Sequence, residues 1–188
     1  MEPKTKIPTK KECLRLMETY NMLPNIKKHS QVVCKVALTI AKELNKKGES
    51  LDLKKIEAAA LLHDIAKTGC LFTKKDHAKE GARLLNQLGL KEIAKIVERH
   101  IFLPTKRILS KSLSEEEIIN YADKRVRHWE IVSLEERFKD LEQRYGIDKS
   151  SLQRIRRLKK STELLEKKIF SRLDLDPLEL KDLIKKKM

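Results

Sequence analysis

Glycine and proline are scarce, five of each in 188 residues. A chain so poor in turn formers leaves little room for tight hairpins. Its many Leu, Lys and Glu residues favour helix throughout. No strand pattern, internal repeat or low-complexity tract is visible. Aromatic residues make up only 4%. No run of about 18 apolar residues occurs, so the pattern offers no membrane-spanning helix. The opening "MEPKTKIPTKKE" lacks the apolar core of a secretory leader. The cysteines are Cys13, Cys34 and Cys70, an odd number, far apart and without a CxxC pair. They argue for reduced thiols in a cytoplasmic protein and against a disulfide frame or thiolate zinc site. HExxH, the glycine-rich phosphate loop and GxSxG are also missing, so three common hydrolase chemistries lack support.

Charge is abundant instead. Charged residues are 38% and apolar residues 40%, with a net charge of +15. The excess lies at the ends: +6 over residues 1–50, +2 over 51–148 and +7 over 149–188. A basic patch attracts polyanions. No nucleic-acid-binding motif accompanies this one, so solvated lysine-rich helix faces are the plainer reading.

The periodicity predicts an all-α fold with one sizeable core. Thr9 with Glu12 has the spacing of a capping box and starts a helix over 10–21. Further helices are expected over 25–46, 53–66 behind Asp52, 76–88 up to Gly89, and 91–102 before Pro104. Residues 68–75 and 103–113 read as connections. Ser114 with three glutamates opens a helix running towards Trp129. Helices over 133–145, 149–172 and from 177 complete the chain. Residues 1–148 then form the main domain. Residues 149–188 form a basic helical extension whose stripe of Leu152, Ile155, Leu158, Leu165 and Ile169 must pack on the core or on a partner chain.

One stretch conflicts with this pattern. In "AALLHDIAKTG", residues 59–69, His63 and Asp64 sit inside an apolar run. Buried charge is costly unless it is paired or binds a metal. The other histidines are His29, His77, His100 and His128. Singly, each is more simply a cap or a satisfied core residue. Asp123, in "NYADKR", has Arg127 one turn on as an ordinary partner.

Taken together, the order His29, His63-Asp64, His77, His100, Asp123 resembles the HD-domain superfamily of metal-dependent phosphohydrolases. "LLHDIAK" is similar to the HDIG variety, with Ala66 in place of glycine. "DHAKEGARLL" and "VERHI" resemble the segments that give two further histidines in binuclear members, among them the HD-GYP phosphodiesterases and diadenosine tetraphosphate hydrolases. The resemblance covers residues 12–145, and the chain as a whole is similar to small stand-alone HDIG proteins. His100 is followed by Ile101 rather than a second histidine and no GYP word occurs, which disfavours cyclic-di-GMP hydrolysis.

The resemblance implies an HD-type helical bundle and two divalent transition metal ions drawn from Fe, Mn, Zn, Ni or Co. His29, His63, Asp64 and Asp123 would hold one ion, and Asp64, His77 and His100 the other. Asp64 would bridge and carry the catalysis with Lys67, one turn on. His63 and Asp64 are expected on one helix, pointing to different sectors of it. Lys67, Arg99, Lys124 and Arg125 are candidate phosphate-binding residues, each with a plain surface role as the alternative. Cys70 and His128 read as structural or surface residues. The expected substrate is a phosphorylated small molecule, a nucleotide by preference, and the expected state a monomer or homodimer away from membranes. A non-catalytic metal or nucleotide sensor and an RNA-directed phosphodiesterase are the alternative functions.

Overall fold

The structure, a computed structural model, describes residues 6–73 and 75–186. It is built almost wholly of helices: α1 Lys10–Thr19, α2 Pro24–Lys46, α3 Leu53–Leu62, α4 Lys67–Cys70, α5 His77–Gln87, α6 Lys91–Glu98, α7 Thr105–Ile108, α8 Glu115–Lys124, α9 Leu134–Tyr145, α10 Lys149–Phe170 and α11 Leu180–Lys186. The all-α expectation holds.

Capping chemistry sets several starts. Thr9 and Glu12 form the expected capping box, and Asp52 accepts from the backbone N–H groups of Lys54 and Lys55. Ser133 with Glu136 and Asp148 with Ser151 repeat the device for α9 and α10. Ser114 occupies the N-cap of α8, but its hydroxyl donates to the buried Glu117 carboxylate at 2.9 Å rather than capping the backbone.

The helix ends differ more from expectation. α3 stops at Leu62, four residues early, and α6 stops at Glu98 rather than 102. The same physics acts at both places. His63 Nδ1–H donates to the Ala60 carbonyl at 2.8 Å, and His100 Nδ1–H donates to the Val97 carbonyl at 2.7 Å. Each imidazole takes a carbonyl of the last helical turn, where the regular i to i−4 ladder runs out; the Val97 carbonyl also accepts from the His100 backbone N–H at 3.3 Å. After Leu62 the backbone tightens into i to i−3 bonds, Ile65 N–H to Leu62 and Lys67 N–H to Asp64. His63 and Asp64 therefore sit in a turn at the end of a helix and not mid-helix. The expected connections 68–75 and 103–113 each contain a single helical turn, α4 and α7. The helix through Asp123 ends at Lys124, short of Trp129, and a two-residue hairpin follows, β1 Val126–Arg127 with β2 Glu130–Ile131. The absence of any strand was thus not met.

The core is one cluster. α2 lies against α3 and α8, with Ile40, Leu44, Ile56, Leu61 and Tyr121 fully buried. Each such large side chain contributes about 1.5–3 kcal/mol of transfer free energy. α5 pairs closely with α6, where a Cβ at Gly81 would lie 3.3 Å from Val97. α10 lies against α7, α8 and α9 of its own chain, burying Ile155, Leu165 and Ile169. Lys168 pairs there with the buried Glu117, and Arg125 with Glu166 at 3.3 Å. Gly146 sets the approach of α10 to α9, because a Cβ there would meet the Glu142 carbonyl at 2.4 Å and Leu152 at 2.5 Å.

Candidate metal centre

Four imidazoles and two carboxylates meet where α2, the α3–α4 turn, the start of α5, the end of α6 and α8 converge. His29 comes from α2. Its Nδ1–H donates to the His128 carbonyl at 2.7 Å, and its Nε2 lies 3.0 Å from Asp123 Oδ1. His128 adopts a left-handed backbone, φ +54°, in the hairpin turn. It thus serves through its backbone, as an anchor for His29. His63 and His100 are anchored through Nδ1 by their own helix ends. In all three rings a carbonyl fixes the proton on Nδ1 and leaves Nε2 to face the cluster, the arrangement metal-binding histidines use.

Asp64 is at the centre. Its Oδ2 lies 3.4 Å from His63 Nε2, while its Oδ1 lies 3.2 Å from His77 Nε2 and 3.6 Å from His100 Nε2. His77 is the first residue of α5, presented by the Asp76 N-cap. Two sets of possible ligand atoms result, His29–His63–Asp64 and Asp64–His77–His100, each spanning no more than 4.8 Å. Asp123 Oδ1 lies 3.6 Å from His63 Nε2, beside the first set.

The electrostatics are uneven. Burial opposes the charged form of the Asp64 carboxyl, but the Lys67 ammonium and His63 outweigh burial and hold it well below the usual carboxylate range. Burial likewise opposes charge on Asp123, and Lys124 with His29 keeps it low. Burial opposes the charged His63 too, but Asp64 and Asp123 raise it to about 10. Burial dominates at His100 and pushes it down to about 4.

The donor set fits divalent metal ions. His63 Nε2 and Asp64 Oδ1 are buried and make no hydrogen bond, although both are surrounded by potential ligands. Orphaned polar atoms of this kind carry a desolvation cost of about 1–3 kcal/mol each, and a coordinated cation relieves both. Imidazole with carboxylate suits a first-row transition metal.

The structure separates the four candidate phosphate-binding residues. Lys67 donates to Asp64 Oδ2 at 2.7 Å and lines the cavities over the cluster. Lys124 is buried, and its ammonium bonds the His100 carbonyl at 2.9 Å and Asp123 Oδ2 at 2.8 Å. It braces two candidate ligands. Arg99 lies away from the cavities, 3.7 Å from Glu116. Arg125 is spent on the Val132 and Pro177 carbonyls, Tyr121 and Glu166. It joins the C-terminal helices to the core. Asp123 pairs with His29 and Lys124, while Arg127 pairs with Glu130.

Sequence reasoning passed over Arg137, Arg144 and Tyr145, all on α9 and all lining the cavity wall. The signal was present: Arg137 and Arg144 are seven residues apart and share a helix face. Asn120 was also missed. It donates to the Arg99 and His100 carbonyls and so pins the end of α6. The larger cavity over the cluster, about 460 Å³, runs from His77 and Lys75 past Lys67 to Leu158 of α10. No helix among the described residues is long and apolar enough to cross a membrane.

The HD domain family profile matches residues 26–175. An uncharacterized protein of Methanocaldococcus jannaschii is 31% identical over 144 residues, covering 70% of this chain and 83% of that protein. A tRNA (cytidine(56)-2'-O)-methyltransferase of Picrophilus torridus is 32% identical over 143 residues, covering 69% of this chain but 40% of its own length. No solved structure gives a significant match.

Proposed function

This chain belongs to the HD domain family, and from that premise we propose that it hydrolyses a phosphate ester or anhydride of a nucleotide or related molecule. The observation that carries the reading is the pair of His/Asp triads that share the buried Asp64, two of whose member atoms make no hydrogen bond. Bound divalent ions supply neutralisation of the phosphate and an acidified water as nucleophile.

The chain's own residues do the rest. Asp64, with one oxygen toward each triad, joins the two halves and fixes their spacing. His29, His63 and His100, each anchored through Nδ1–H to a backbone carbonyl, turn Nε2 toward the cluster. Lys124 keeps Asp123 ionised and in place. Lys67, over the cavity, meets a phosphate oxygen and lowers the cost of bringing an anion to a carboxylate-rich centre. Arg137 adds a second cation on the same wall.

A second reading is an RNA-directed phosphodiesterase. It is favoured by one observation: a relative named as a tRNA methyltransferase carries the similar segment as part of its length. The test is a matrix of metals against substrates on the full chain, with mononucleotides, dinucleoside polyphosphates, cyclic dinucleotides and short RNAs. Metal-dependent release of product from any of them is expected. Metal binding without turnover on every substrate would return the protein to the sensor class.

A further inference from the structure

The chain has few aromatic residues, yet they are not spread evenly. Trp129, Tyr145 and Phe102 are 44%, 52% and 52% exposed; Trp129 and Tyr145 line cavities at the cluster, and Phe102 lines a neighbouring cavity that shares Tyr145 and Leu158 with them. A cavity of about 110 Å³ holds Trp129 and Arg144 at one end. It shares Asp64, Lys67, Arg137 and Tyr145 with the central cavity of about 460 Å³. The central cavity in turn shares Tyr145 and Leu158 with one of about 250 Å³, lined by Phe102 and Arg154. Sharing walls, the three cavities adjoin one another as a composite groove, with Trp129 in the first, Phe102 in the third and the cluster lining the two that contain Asp64.

A mononucleotide needs far less. The central cavity alone falls in the range of small-molecule sites. A groove that continues past the cluster on both sides fits a substrate with units on both sides of the phosphate that is cut. Outside the cluster the charged residues in the lining are all cations, with no carboxylate among the described residues. Arg137 and Arg144 share a single carboxylate, Asp140, at 2.9 and 3.7 Å. Arg137 Nε is buried without a partner, at the junction of two cavities. The Arg144 guanidinium lies 5.1 Å from the Tyr145 ring centre. Cations alternating with exposed rings along a groove are what single-stranded nucleic acid requires: charges for phosphates and flat faces for bases.

We infer that the groove binds a short single-stranded oligonucleotide, with bases stacked on Trp129 and on Phe102 and the intervening phosphodiester held over the cluster by Arg137 and Lys67. This rests on the phosphohydrolase reading of the same centre. The step adds water across one P–O bond: hydroxide goes to phosphorus and a proton to the departing ribose oxygen. A 3'- or 5'-phosphorylated strand and a free hydroxyl strand result.

The test has two readouts on the full, metal-loaded chain. Trp129 is the only tryptophan, so stacking on it is seen directly as quenching of intrinsic fluorescence. A phosphorothioate hexanucleotide should quench it at concentrations where the same sequence as a duplex does not. In hydrolysis, kcat/KM should rise from mononucleotide to dinucleotide to hexamer. Trp129→Ala and Phe102→Ala should each raise KM for the hexamer by about tenfold, the loss of one stacked base, with kcat little altered. Trp129→Phe and Phe102→Tyr should restore it. Arg137→Met should act on both KM and kcat. Equal kcat/KM for mononucleotide and hexamer, preference for diadenosine tetraphosphate, or no quenching and no KM change in the alanine variants would each overturn the proposal. Quenching without hydrolysis of any substrate would instead overturn the phosphohydrolase reading and leave the groove assignment standing.

Discussion

On one side of Asp64, His29, His63 and Asp123 are each less than a tenth exposed, and each is held by a further bond, to the His128 carbonyl, the Ala60 carbonyl and the Lys124 ammonium. On the other side His77 is about a quarter exposed, at the first residue of a helix, and faces the larger cavity. Both sides draw on the same carboxylate. Pre-arranged, buried ligands hold an ion tightly and release it slowly, whereas a ligand at a helix start beside a cavity gives way more easily. The inner half is therefore expected to retain an ion and the outer half to exchange it. The expected outcome is loading in two stages, with His77 as the ligand that sets the outer half apart, since His100 is as buried as the inner ligands.

Asp64→Ala has the largest expected effect, because it abolishes the comparison by removing what the halves share. Metal content should fall from about two ions per chain toward none, and kcat should drop by about a thousandfold or more. Far-ultraviolet circular dichroism should stay helical, since α3 already ends before this residue. A variant that kept both ions would show that Asp64 does not join the halves.

Next come replacements that divide the halves. His77→Ala should leave about one ion per chain, and dialysis against a mild chelator should produce the same one-ion form of the unaltered protein. His63→Ala should lose the inner ion, and with it most of the stability gained on metal loading, because metal binding to a preformed site adds to folding stability. Elemental analysis with thermal denaturation on each variant separates these outcomes. Equal loss of ions in both variants would show that the halves load together.

The pH dependence should also split. Without metal, His63 is raised to about 10 by Asp64 and Asp123, so it carries a proton at neutral pH. That interaction stabilises the metal-free fold fully below pH 6.5 and is lost as pH climbs through about 10. His100, pushed down to about 4, is already neutral. Loading the inner half must then displace about one proton, while His100 gives none to the outer half. The apparent affinity of the inner half should rise with pH, by about tenfold per unit while His63 stays protonated. Calorimetry in buffers of different ionisation enthalpy counts the protons. The acid limb has the opposite sign. The carboxyl of Asp64 is held low, so its contribution is present above the ordinary carboxylate range and fades as pH falls further.

Much of this architecture was legible in the sequence, and the misses have physical causes. Thr9, Asp52 and Gly89 marked helix boundaries because capping and left-handed turns are local. His63 and Asp64 stood out as polar groups in an apolar run, but the six histidine and aspartate residues were legible as a set only through the resemblance to the HD-domain order. The early ends of α3 and α6 were not, since periodicity continues past His63 and His100 while their side chains compete for the helix carbonyls. The hairpin after Lys124 was invisible because two-residue strands leave no alternation to detect. Lys124 and Arg125 are adjacent and chemically alike. Only the fold decides that one braces a candidate ligand and the other ties α8 to Glu166 and Pro177. Arg137 lay in a helix that carried no motif, and its approach to the cluster depends on a long-range packing of α9.

The smallest effect expected is at the cysteines, and it probes the outer half alone. Cys13 and Cys34 are buried in the core, where burial pushes both thiols up to about 12. Cys70 is partly exposed and lines the larger cavity with His77. The thiolate is the reacting form. In the native protein at pH 8, a thiol reagent should therefore label about one of the three cysteines, and peptide mapping should find it at Cys70. Labelling there places an adduct on the cavity wall that Cys70 shares with the outer ligands His77 and His100. It should weaken retention of the outer ion by a factor of about ten or less, the scale of a change next to the ligands rather than at them, and leave the inner ion in place. Prior loading of both ions should slow the labelling, since the outer ion tightens the wall that Cys70 shares with His77. Labelling of Cys13 or Cys34 at a comparable rate would mean that α1 and α2 open on the timescale of the reaction. An adduct at Cys70 that released both ions equally would show that the two sides of Asp64 respond as one.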